Sequence, residues 1–163
     1  MSEASELNVP PSTSLVDHLL WQVRGGHAHD SLEAIAAQIS ESEVGRIPPG
    51  LSHSAWQIVE HLRICQRDLI DFTRTPGHVS PEFPDGLWPD DPQPPPGAWR
   101  DSLAQLESDR GELLRLIAGG DVLTSQNGIR SATPLRQVLI AVTHLSYHTG
   151  QLALYPSLLA GSR

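Results

Sequence analysis

An all-α fold built as a four-helix bundle is what this sequence predicts. Three observations carry the prediction: four segments repeat apolar residues at helical spacing, no segment alternates as a strand would, and a proline-rich stretch separates the second segment from the third. The chain's 163 residues, 39% hydrophobic and 18% charged, suit one soluble domain large enough to bury a core. Residues 1–13 read as a flexible N-terminal tail, and 14–163 as the single domain.

The first segment, roughly 14–40, places Leu15, Leu19 and Val23, then Leu32, Ile35 and Ile39, on one face. Gly25-Gly26 interrupts it, and Asp30 with Glu33 forms a candidate capping box beyond the break. One kinked helix is expected, because paired glycines also permit close backbone approach. GRIPPG (45–50) is a turn. The second segment, roughly 53–74, starts from a Ser54/Gln57 capping pair and carries Ala55, Ile58, Leu62, Cys65 and Leu69 inward. The third, roughly 98–118, shows Trp99, Leu103, Leu106, Leu113 and Ile117 before Gly119-Gly120 stops it. The fourth, roughly 133–158, opens with Thr133 as N-cap and Pro134 at the first helical position. Its apolar face runs Leu135, Val138, Val142, Leu145, Leu152 and Tyr155.

Of 14 prolines, eight (Pro76, Pro81, Pro84, Pro89, Pro92, Pro94, Pro95 and Pro96) lie between the second and third segments. That density forbids a long helix there. A connection of such length can cross a bundle end to end and allow non-alternating helix directions. Because it contains Phe83, Leu87 and Trp88, it is expected to pack as an ordered loop, either bordering a pocket or as an inert crossover. Asp90-Asp91 reads as a solvated turn.

Composition excludes several partners. The formal net charge is −8 and the 11 Lys and Arg form no basic stripe, which disfavours nucleic acid and anionic membrane surfaces. The longest apolar run, Val138 to Val142, is far too short to span a bilayer. Cys65, the only cysteine, rules out an internal disulfide and suits a reducing compartment. With no apolar secretory core in MSEASELNVPPSTS, a cytoplasmic location is expected.

The chemistry concentrates in histidines. His144 and His148, in THLSYHTGQL, stand four residues apart and so lie one above the other on a helix. Such a pair can converge on one ion. Leu145 rather than glutamate follows His144, so the HExxH reading of a zinc protease fails. His61 shares the inward face of the second segment with Ile58 and Cys65, and is the best candidate for a third nitrogen. A shared metal would satisfy three neutral imidazoles in a core and leave at least one coordination position open. Taken singly, each histidine is more often a hydrogen-bonded core or surface residue.

The pairing of an inward EHL histidine with HxxYHxGQ in the last segment resembles the DinB/YfiT-like superfamily, the damage-inducible DinB family rather than the DNA polymerase of that name. The resemblance covers essentially the whole chain. It implies up-down-down-up topology, with the crossover at 75–97 making the long connection. It also implies a metal triad of His61, His144 and His148 holding a divalent transition metal, nickel or zinc. Characterised relatives include thiol transferases that use bacillithiol or mycothiol and a mycothiol-dependent maleylpyruvate isomerase; many other members are described only as metal-dependent hydrolases. A stress-response role and a homodimer are implied with them. The doubled glycine and HAHD of the first segment depart from the family's ordinary pattern.

Around the triad, Gln57 and Gln151 each sit one turn from a ligand histidine and are candidates to orient it. His29 is the candidate pocket residue in GGHAHD, with exposed residues around a kink as the commoner reading for it and His27. Cys65 could add a soft ligand or a nucleophile, but a lone cysteine on an apolar helix face is more often packing. Gly150 reads as a close-packing position, Tyr147 as core or interface, and Trp21, Trp56 and Trp99 as packing.

Three functions follow. The first is a metal-dependent transferase that activates a low-molecular-weight thiol for attack on an electrophilic small molecule. The second is a hydrolase using metal-activated water, for which no general base is evident. The third is a non-catalytic metal- or ligand-binding dimer.

Overall fold

A computed structural model describes residues 14–161, so the expected 1–13 tail lies outside the described residues. The described residues form six α-helices: α1 (Leu15–Arg24), α2 (Leu32–Ala36), α3 (Ala55–Arg74), α4 (Ala98–Ala118), α5 (Pro134–Leu152) and α6 (Tyr155–Ala160), with one 3-10 turn at Asp85–Leu87. No strand occurs among the described residues.

The expected kinked helix over 14–40 is instead two separate helices. Gly25 and Gly26 both take positive φ (71° and 76°), a region other residues rarely enter, which ends α1 outright. A Cβ at either glycine would meet no neighbour, so they serve the turn and not a close approach. The restart is capped by Ser31, whose side chain accepts from the Ala34 amide, in place of the expected Asp30 box. The fourth segment is also shorter than expected. α5 stops at Leu152 and α6 starts at Tyr155, because Pro156 brings no amide and its ring collides with the carbonyl four residues earlier.

The other boundaries follow their signals. At Ser54 the capping box is complete: its hydroxyl accepts from Gln57 N, and Gln57 Oε1 accepts from Ser54 N. Thr133 caps α5 with Pro134 in its first turn.

α1 and α3 each pack against both α4 and α5, and α2 packs on α5. The apolar interior is divided. One cluster gathers Leu32, Ile35, Ile58, Leu62, Leu106, Leu152 and Tyr155; the other gathers Leu19, Val23, Ile70, Leu113, Ile117, Val138 and Ala141. On each long helix polar residues fill the gap between the two: Cys65 to Asp68 on α3, Asp109 on α4, His144 and His148 on α5. Burying polar groups in that gap is costly unless they are paired. Arg67 is paired, meeting Asp71 (2.6 Å), Glu112 (2.8 Å) and the buried Asp109 (3.1 Å). No helix among the described residues is long and apolar enough to cross a membrane.

Candidate metal centre

His61 is 6% and His148 5% exposed, whereas His144 is half-buried. The structure brings all three imidazoles together. His61 lies with its ring centroid 4.9 Å from that of His144 and 4.9 Å from that of His148, and the α5 pair are 4.6 Å apart. His61 Nε2 stands 3.0 Å from His144 Nε2.

Hydrogen bonds decide which nitrogens are available. His61 Nδ1 lies 2.9 Å from the carbonyl oxygen of Leu87, and a carbonyl only accepts, so Nδ1 carries the proton. The Nε2 lone pair is therefore left facing His144, whose Nε2–H donates across the 3.0 Å gap. His148 Nδ1 is 2.6 Å from Gln151 Oε1, and Gln151 Nε2 donates to the Tyr147 hydroxyl at 3.3 Å. His148 thus also keeps its Nε2 as the free nitrogen. Two nitrogens on neighbouring positions of one ion, each at about 2.0–2.1 Å, stand about 2.9–3.4 Å apart, and the His61–His144 spacing falls in that range.

Burial works in the same direction. It pushes both His61 and His144 down to about 4, with the neighbouring imidazoles adding repulsion; the Leu87 hydrogen bond opposes this at His61. His148 is lowered too, chiefly by burial and partly offset by Gln151. At neutral pH all three are uncharged, so protons would compete little with an incoming ion.

Cys65 lies against the imidazoles rather than in purely apolar surroundings. Its Sγ lies 3.6 Å from His61 Nδ1 and 3.8 Å from Nε2, and one ligand atom each of His61, Cys65 and His144 fall within 4.8 Å of one another. Burial, with the Asp68 carboxylate nearby, raises its thiol to about 11. A thiol so protected is no ready nucleophile, but it is a soft donor in contact with the imidazoles.

Two expected orienting residues behave differently. Gln151 holds His148 directly. Gln57 does not hydrogen-bond to a histidine; its Nε2 donates to the Pro89 carbonyl at 2.8 Å and so holds the crossover. Of the two readings left open for the crossover, the structure favours the one in which it borders a site, since Leu87 and Trp88 meet His61; Phe83, expected to pack, is instead 83% exposed. Trp88 was missed as a site residue. Its indole stacks on His61 (3.7 Å, 4°) and, with its other face, on His53 (4.0 Å, 17°). A tryptophan isolated among prolines has no periodicity to reveal it.

His29 is exposed; its Nε2 is 3.3 Å from Ser146 Oγ, and it lines a cavity of about 90 Å3 with Trp21, His27, Gln66, Arg110 and Ser146. Trp21 is half-buried and stacks on His27 at 3.6 Å. A second cavity of about 340 Å3 is walled by His53, Ile58, Gln151 and Tyr155; none of the three imidazoles lines it, and it reaches them only through Gln151, which holds His148, and His53, which stacks on Trp88. Gly150 faces open space and so permits no close helix approach, and Tyr147 is 64% exposed and therefore not core.

A family model described as the DinB superfamily matches residues 26–152, a span holding His61, Cys65, Trp88, His144 and His148. No curated protein and no solved structure matches the chain.

Proposed function

We propose that this chain, which belongs to the DinB superfamily, holds a divalent transition metal between α3 and α5 and uses it in transferring a low-molecular-weight thiol to an electrophilic small molecule. The observation that carries the reading is the convergence of ligand atoms: His61, Cys65 and His144 within 4.8 Å, with the His148 ring against both imidazoles. A borderline nitrogen set joined by sulfur favours zinc or nickel over magnesium or calcium.

Such an ion, when bound, acidifies a small thiol and holds it beside its target. The protein's own residues prepare for that. Burial keeps the imidazoles neutral, Leu87 and Gln151 direct their free nitrogens, and Trp88 covers one face of His61. The cavity between His53 and Gln151 offers room for reactants one residue away from the cluster, behind the Gln151 that holds His148.

The same membership supports a four-helix bundle of α1, α3, α4 and α5 in up-down-down-up order, since α1 and α3 each pack on both α4 and α5 and the α3–α4 crossover is long. Exposed Leu139, Ile140, Tyr147 and Leu154, all on or just after α5, support a homodimer through that helix.

The test begins with metal content of protein purified without a polyhistidine tag. A folded protein that stays metal-free after zinc and nickel challenge refutes the reading. With metal loaded, turnover of a model electrophile should depend on an added small thiol. Ester hydrolysis without thiol dependence would assign a hydrolase instead.

A further inference from the structure

The crossover does more than connect α3 to α4. Leu87 and Trp88, which end its 3-10 turn, reach the cluster from outside the helices that carry the ligands. Trp88 is clamped between two imidazoles, nearly parallel to both, and its indole also meets His148 edge-on at 5.8 Å and 72°. A ring stacked within 4 Å on each face cannot tilt without displacing a neighbour. The orientation of the His61 ring is therefore fixed by the indole, and its tautomer by the Leu87 carbonyl.

The turn is itself anchored to the start of α3. Gln57 donates to Pro89 O and Ser54 Oγ donates to Pro92 O, both at 2.8 Å. These are the two residues of the α3 capping box, so one pair of side chains starts the helix carrying His61 and holds the loop that aims it. Further along, Gln93 Nε2 donates to Gly45 O at 3.1 Å, and a Cβ on Gly45 would collide with the Gln93 side chain.

We propose that residues 87–89 are a positioning strap for the metal centre, in which Trp88, gripped between His53 and His61, presets His61 Nε2 for ligation. This rests on the metal reading above. Outer partners of metal-bound histidines fix ring orientation, and their loss weakens metal binding by about 10–100-fold.

The experiment is a cobalt(II) titration of the intact chain, followed by visible ligand-field absorption, on wild type, Trp88→Ala, Trp88→Phe and His53→Ala, with helicity checked by circular dichroism. Trp88→Ala is expected to bind cobalt about tenfold more weakly, with an altered absorption envelope. Trp88→Phe, which keeps a stacked ring, should retain the wild-type spectrum and nearly the wild-type affinity. His53→Ala releases one side of the clamp and should fall between them; should Trp88→Ala fail to fold, this variant decides. A Trp88→Ala protein, or in that event a His53→Ala protein, with wild-type affinity and spectrum overturns the strap while leaving the metal centre standing. A wild-type protein that takes up no cobalt overturns both.

Discussion

At the residue scale the donor set is the sharpest question, and protons answer it. Neutral imidazoles release no net proton when they take up an ion, whereas a thiol held at about 11 must lose one. Zinc binding at pH 7, measured by calorimetry in two buffers of different ionisation enthalpy, should therefore release about one proton if Cys65 ligates and about none if it does not. Cys65→Ser is expected to abolish that release and the near-ultraviolet sulfur-to-cobalt charge-transfer band; a variant indistinguishable from wild type in both would return Cys65 to packing. His148→Ala makes the complementary test. It removes a nitrogen without touching the 3.0 Å His61–His144 pair, so helicity should persist while metal is lost or bound at least about tenfold more weakly. Stoichiometric, undiminished metal in this variant would remove His148 from the ligand set. Gln151→Ala should give a smaller loss than His148→Ala, because it frees the ring without deleting it.

At the element scale, what the sequence made legible follows its periodic signals. α3, α4 and the start of α5 could be read because apolar spacing, a Ser or Thr cap, Pro134 and Gly119 all point the same way. The break at Gly25-Gly26 is visible in the sequence but does not by itself distinguish a kink from a turn; the backbone angles show that two adjacent positive-φ glycines turn the chain rather than bend it. The α3/α5 histidines were legible because helical spacing puts them on inward faces. Trp88 and His53 were not, since both lie in irregular segments where no period links residue to site. The pairing across α3 and α4 was equally hidden. Asp109 is 1% exposed, and its Oδ2 has no protein partner, so Arg67 is the main compensation for its charge. Arg67→Met should cost about 2–3 kcal/mol in urea unfolding, less than for a fully buried pair because Arg67 remains 30% open to water. The double variant with Asp109→Asn should recover part of that loss. Additive losses would show that the two do not act together.

At the scale of the whole molecule, the two apolar clusters are stabilised across a layer that folding must desolvate, and pH reveals the cost. His61 and His144 are each pushed from about 6.5 to about 4 by burial. Between those values the unfolded chain binds protons that the folded protein refuses, so the unfolded state gains as pH falls. The sign follows directly: metal-free stability should be flat above about pH 7, decline as pH drops from about 6.5 to about 4, and gain no further histidine penalty below that. The lowered carboxyls Glu60 and Glu112 contribute in a separate window, losing their stabilisation only as pH falls from about 4.5 downward. At pH 5 shifts of that size contribute about 2 kcal/mol per histidine, about 4 kcal/mol for the pair, so Tm should be about 8–16 °C lower there than at pH 7.5 for a chain of this size. His144→Gln, which keeps a polar side chain but removes one titrating ring, should flatten part of the decline in the metal-free protein. Thermal unfolding followed by circular dichroism across pH 4–8 in the presence of a chelator measures both curves. Superimposable curves for wild type and variant would mean that the buried imidazoles do not carry the acid sensitivity of the fold.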